Sequence, residues 1–310
     1  MESFHDVCIQ PLKPKVTKLY VNAFWNGFCD KTDANNIGIF ETLFSKTKLG
    51  KLELVSNMME ADVLFESLFN SSKFNALDSI NKKWKYTIYF TGEPYRTNQQ
   101  HAYSVILDSE HSVANIVNFP IFVSYIETNQ YLPRLLCRKP VTVVPPKFCC
   151  FIVSNGNSQP RVTMFHICSK YKQVDSYGGY NNNMGGTLKC GYHSQEYLDV
   201  LSQYKFIICF ENTKKGTYIT EKIVNPYLAG IIPVYWGTEY VKSIFNMDSM
   251  LYVENDSEPE MNRVLQKMIE MDNDDAKYLE MVNQPVFIIP HIYSEMFSLD
   301  KIVKEIDALL

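Results

Sequence analysis

The chain has 310 residues, 46% of them hydrophobic, 21% charged and 14% aromatic, and its 30 basic and 34 acidic side chains leave a formal net charge of -4. That much apolar content with so little net charge excludes a disordered chain. An acidic balance without a long Lys/Arg run argues against a nucleic-acid binder, whose affinity rests on neutralising phosphates. The length suggests about two domains of roughly 100–200 residues each.

The first thirty residues carry no basic stretch followed by an apolar run, so no signal peptide is expected. The longest apolar runs, Phe206 to Phe210 and Val286 to Ile289, fall far short of the ~20 residues of a membrane span. The reading is of a soluble, cytoplasmic protein. Eight cysteines are scattered without a CxxC pair or a zinc spacing, and Cys149, Cys150 and Cys209, in strand-like runs, read as inert core thiols. The sequons at Asn70 and Asn255 read as chance matches.

In chain order, strand-like runs occur at Lys18 to Phe24, Asp62 to Phe65, Tyr86 to Phe90 and Ser104 to Leu107, separated by segments long enough for helices. A second set follows at Phe148 to Val153, Phe206 to Phe210, Ile231 to Tyr235 and Met250 to Val253. Helical patterns lie between them at Arg161 to Tyr171, Gln195 to Gln203 and Glu221 to Ala229. Alternation of this kind implies parallel sheets in an α/β fold. The segment Arg138 to Lys147 holds three prolines, which stiffen a connector, so the expected domains are residues 1–145 and 146–310. From Glu258 the chain reads as mostly helical, interrupted near Gln284-Pro285 and Ile289-Pro290.

The chemistry concentrates between Tyr204 and Gly237. A buried strand ends near Phe210, leaving Glu211 and Asn212 where open α/β sheets place ligands. A cationic loop, Thr213 to Tyr218, leads to Thr220, which reads as the N-cap of a helix starting at Glu221 and Lys222, with Gly230 closing it. Such a helix start attracts a phosphate, Lys222 adds a full charge, and Glu221 suits the hydroxyls of a sugar. Equally, Glu221 can simply complement the helix dipole while Lys222 is solvated. Pro226 falls inside the helix and should kink it or shift its start. Neither a GxGxxG nor a Walker loop is present.

These residues resemble a known family. Phe210-Glu211-Asn212, Tyr218-Ile219-Thr220-Glu221-Lys222 and Ala229 to Gly237 are similar to the signature of the α-1,3-fucosyltransferases, the GDP-fucose-dependent enzymes of glycosyltransferase family 10. Tyr89-Phe90-Thr91-Gly92-Glu93-Pro94 resembles the family's Thr-Gly-Glu motif. Lys147 through Asn155 followed by Arg161, and Val174 to Gly178, extend the resemblance over roughly residues 60 to 255.

The resemblance implies a glycosyltransferase-B fold, two facing Rossmann-like domains with a cleft between them, and an inverting transfer of fucose from GDP-fucose to an oligosaccharide hydroxyl. It implies Glu93 as general base, Arg161 and Lys222 on the departing diphosphate, and Glu221, Asn212 and Tyr218 on the nucleotide or sugar. On pattern alone Glu93 reads as a surface glutamate in a turn, and Tyr218 as a packing residue. Asp272-Asn273-Asp274 spells a metal-binding motif of other glycosyltransferases but reads as a turn with an N-cap, so no metal or other cofactor is expected. The terminal helix near Ser298 to Leu310 is expected to cross back to the first domain. Loops at Asn22 to Asn36 and Thr97 to His101 are candidates to shape the acceptor. The acceptor and the oligomeric state stay open. The competing readings are a transferase for another GDP-sugar and a non-catalytic glycan- or nucleotide-binding protein.

Overall fold

The computed structural model describes residues 16–30, 36–69, 83–95 and 102–310. The loop at Thr97 to His101 and the sequon at Asn70 lie outside them, as does part of the Asn22 to Asn36 loop. Within the described residues the first domain alternates β1 (Val16–Asn22), α1 (Gly38–Ser45), β2 (Lys51–Leu54), β3 (Val63–Glu66), β4 (Tyr86–Phe90), β5 (Val105–Asp108) and β6 (Ile116–Asn118). Then come α2 (Ile121–Asn129) and α3 (Leu132–Leu136). All strand pairs are parallel, in the order β2-β1-β3-β4-β5-β6.

The second domain runs β7 (Lys147–Phe151), α4 (Gln159–Ser169), β8 (Val174–Ser176), α5 (Gln195–Leu201), β9 (Tyr204–Ile208), α6 (Glu221–Ala229), β10 (Ile232–Tyr235) and β11 (Leu251–Tyr252). Its parallel sheet is ordered β11-β10-β9-β7-β8. In both sheets the chain starts inside, steps outward once and then crosses to the other side. This leaves a switch point between β1 and β3 and another between β7 and β9, where open α/β sheets bind ligands.

The second sheet is covered on both faces, which explains its unbroken apolar strands. Ile207 and Cys209 face a core shared with the first domain, while Phe206, Ile208 and Phe210 face a separate core. The latter is closed by residues of α7 (Glu258–Asp272) and α8 (Asp275–Val282). The shared core joins Phe122 and Tyr125 of α2 to Ile223, Val224 and Tyr227 of α6, so the two domains pack through buried side chains.

The connector is held by Arg138, whose guanidinium donates to the carbonyls of Val282 at 3.0 Å and Gln284 at 2.6 Å. After α9 (Ile292–Phe297), α10 (Leu299–Leu309) packs on α1 and β6 of the first domain. There Asp307 accepts from the Lys48 amide at 2.6 Å and Glu305 from the Ser112 hydroxyl at 2.8 Å. No helix among the described residues is long and apolar enough to cross a membrane.

Candidate active site

Glu93 stands in the turn after β4, and local chemistry fixes that turn. The Thr91 hydroxyl accepts from the Glu93 amide at 3.1 Å and reaches the carbonyls of Glu93 and Tyr95 at 3.2 Å. A side chain at Gly92 would put its Cβ 2.6 Å from Ile121 Cδ1, so glycine lets the turn lie against α2. Glu93 is half-buried. Burial raises its pKa above the usual carboxylate value, Lys222 opposes this, Glu221 adds to it, and a hydrogen bond with Asn212 pulls back down. The last contact joins the first domain's carboxylate to the second domain's strand end.

The cations lie across the cleft. Arg161, in the first turn of α4, is buried, and its guanidinium donates to Asn212 Oδ1. Its Nε has no hydrogen-bond partner, which leaves a donor for an incoming anion. Burial lowers its pKa, with Glu211 and Tyr218 opposing. Lys222 follows the N-cap of α6, where the Thr220 hydroxyl accepts from the Lys222 amide at 3.3 Å. The Lys222 ammonium sits 3.1 Å from that hydroxyl, 3.4 Å from Glu211 and 3.6 Å from Glu221. Burial disfavours its charge, yet the two carboxylates outweigh burial and raise its pKa.

The helix begins at Glu221 with Thr220 as cap, and Pro226 does not interrupt it between Glu221 and Ala229. Proline cannot donate to the carbonyl four residues back, so the carbonyl of Lys222 loses that bond. Tyr218 is buried, with burial raising its pKa, and its hydroxyl meets the Asn212 amide at 3.4 Å, so it supports Asn212 from behind.

A cavity of about 490 Å³ opens at the β7/β9 switch point and includes Arg161, Asn212, Glu221, Lys222, Gly178 and Gly179 in its lining. The two glycines are required there. A Cβ at Gly178 would lie 1.9 Å from the Val153 carbonyl oxygen and one at Gly179 2.6 Å from that of Ser154. A second cavity of about 440 Å³, on the first-domain side, is lined by Trp25, Phe69, Tyr125, Tyr192, Glu93 and Glu221, among others. Glu221 and Tyr192 line both, so the cavities adjoin. Tyr218 lines neither of them. Both volumes fall in the range of small-molecule sites, ~300–1,000 Å³.

Trp25 belongs to the Asn22 to Asn36 loop expected to shape the acceptor, whereas sequence reasoning did not single out Phe69, Tyr125 or Tyr192, which reach the second cavity through tertiary packing. The Asp272-Asn273-Asp274 carboxylates serve the fold. Asp272 takes Lys205 at 3.1 Å and the Tyr171 hydroxyl at 2.9 Å, and Asp274 caps α8. Among the described residues no group of three or more His, Cys, Asp or Glu side chains could hold a metal ion.

Two facing parallel domains with a site at the strand ends define a protein of the glycosyltransferase-B fold. Known structures agree: a crystal structure of an alpha1,3-fucosyltransferase superposes with a TM-score of 0.71 at 19% identity, covering 100% of this chain and 92% of the other. The same enzyme class with GDP gives 0.70 at 18% identity, covering 100% and 93%. Residues 145–283 match the family model described as glycosyltransferase family 10 (fucosyltransferase) C-term. The alpha-(1,3)-fucosyltransferase FucT of Helicobacter pylori is 35% identical over 108 residues, 35% of this chain and 21% of the relative. A protein of Acanthamoeba polyphaga mimivirus is 27% identical over 303 residues, 95% of this chain and 46% of the relative. The chain therefore spans less than half the length of either relative.

Proposed function

We propose that this protein is an inverting fucosyltransferase. It moves L-fucose from GDP-β-L-fucose to a hydroxyl of a glycan, in α-1,3 linkage to the GlcNAc or Glc of a LacNAc-like unit. The observation that carries the reading is the pair of adjoining cavities: a cationic one that fits a nucleotide diphosphate and an aromatic one that holds Glu93, with Glu221 lining both.

In this mechanism the nucleotide occupies the second-domain cavity and its fucose points toward Glu221. The acceptor lies over the aromatic side chains of the first-domain cavity. Glu93 takes the proton of the attacking hydroxyl as its oxygen bonds to the anomeric carbon. The bond from that carbon to the diphosphate breaks, its electron pair stays on phosphate oxygen, and Arg161 and Lys222 meet the growing charge. One displacement inverts the anomeric centre, so no covalent sugar–enzyme intermediate forms. Arg161 and Lys222 supply the charge that the diphosphate needs, and no step is assigned to a metal.

The test is transfer from GDP-fucose to β-galactosyl-N-acetylglucosamine, with GDP-mannose as competing donor. Fucosylated product with the new linkage at the 3-hydroxyl is expected. Binding of GDP-fucose without transfer or hydrolysis to any glycan acceptor would support the non-catalytic reading, and preference for GDP-mannose would move the proposal to another sugar.

A further inference from the structure

Glu211 is a carboxylate with no solvent exposure, three residues beyond the end of β9. A charge in that position needs partners, and it has them. Glu211 Oε1 accepts from the Thr220 amide at 2.8 Å, and the Tyr235 hydroxyl lies 3.3 Å away. The Thr220 hydroxyl is within 3.1 Å of Oε1 and 2.9 Å of Oε2, and the Lys222 ammonium is 3.4 Å from Oε2.

These contacts form a directed chain. The Thr220 hydroxyl has one proton, which it donates to Glu211 in a hydrogen bond. Its lone pairs are thereby turned toward the Lys222 amide at 3.3 Å and the Lys222 ammonium at 3.1 Å. The carboxylate thus fixes the cap of α6 and the position of the ammonium together. We infer that Glu211 is a positioning residue, which acts through Thr220 to hold the Lys222 ammonium toward the diphosphate of the bound nucleotide. The inference rests on the reading of Lys222 as a diphosphate cation.

Glutamine at 211 has nearly the same shape but only one accepting atom. In one amide orientation its NH2 faces the Lys222 ammonium and competes with it for the lone pairs of Thr220 Oγ; in the other it faces the Thr220 amide and the Tyr235 hydroxyl, both donors. The fold loses a buried charge while Lys222 loses its anchor, so stability and donor binding should separate.

The experiment is calorimetric titration of GDP into the intact protein and its variants, with melting followed alongside. Wild type should bind GDP; if it does not, the diphosphate reading fails and this inference with it. If it does, Glu211→Gln should weaken GDP binding about tenfold, roughly one hydrogen bond to a charged group, in a protein that still melts cooperatively. In the Lys222→Ala background the same change should add little further loss, because Glu211 has nothing left to position. It should raise that variant's melting midpoint, since the carboxylate left without its cation is replaced by a neutral amide. Thr220→Val, which removes only the hydroxyl, should weaken GDP binding like Glu211→Gln and supplies the answer should that variant not fold. Unchanged or tighter GDP binding by the folded variants, or losses that add fully to that of Lys222→Ala, would overturn the proposal.

Discussion

The two domains share one topology and differ in what they place at its switch point. In the second domain the strand ends β7 and β9 carry a cationic, hydrogen-bonded cavity lined by Arg161, Asn212 and Lys222, with the buried Glu211 holding Lys222. In the first domain the corresponding end carries aromatic rings, with Trp25 and Phe69 meeting edge to face at 5.0 Å, and the half-buried carboxylate Glu93. A diphosphate is small and fixed in shape, so a rigid polar cradle suits it. Sugar faces are recognised by apolar rings over a wider surface. On the proposed reading, donor and acceptor recognition are divided between the domains, and the loop 213–218 reaches from one to the other. In that loop Gly216 has a φ of +47°, and a Cβ there would lie 2.5 Å from the Ser109 carbonyl. The Thr217 amide donates to that carbonyl at 2.9 Å, and the Lys215 ammonium reaches the Pro94 carbonyl at 3.0 Å.

This contrast can be broken from either side. Arg161→Ala should have the largest effect on the donor side, lowering kcat/KM by about 10²–10³ as one charge-stabilising donor is removed. Steady-state kinetics in GDP-fucose will show it, with acceptor KM little changed. The pH profile comes next. Glu93 works only when deprotonated, and burial raises its pKa. The acid limb of kcat/KM should therefore lie above the ~4.3 of an ordinary glutamate, with activity falling as pH drops through it. Lys222→Ala removes the neighbour that pulls this value down, so the limb should move to higher pH still. On the acceptor side, Trp25→Ala should raise acceptor KM about tenfold through lost ring contact and leave donor KM unchanged. The smallest effect is Asp274→Ala. It removes an N-cap that accepts from Ala276 and Lys277 at 3.1 and 3.2 Å, worth ~1 kcal/mol, so melting should drop by a few degrees without loss of transfer.

The fold was legible wherever a strand is buried on both faces or a helix has its cap in sequence. Tyr204–Ile208 and Glu221–Ala229 are such cases, because a continuous apolar run and the Thr220 to Gly230 bracket are local signals. Lys51–Leu54, an edge strand with half-exposed side chains, and the three-residue Val174–Ser176 were not, since so few residues carry no period. The same rule governs the site. Lys222 shows itself by standing next to an N-cap, whereas Glu93 on pattern alone reads as a turn glutamate. It becomes a candidate base only through the resemblance of Thr91-Gly92-Glu93, and it lines the cavity that Glu221 of the second domain also lines. Trp25 and Tyr125 are separated by a hundred residues of chain and meet at one cavity only because the segment after β1 and helix α2 line the same cleft.

The central claim is that the base comes from the first domain and the anion cradle from the second. The most direct measurement compares Glu93→Gln with wild type in GDP titration and in fucosyl transfer. GDP binding is expected within about twofold of wild type and transfer reduced by about 10²–10⁴, the usual contribution of a general base. Transfer at the wild-type rate by that variant would contradict the claim.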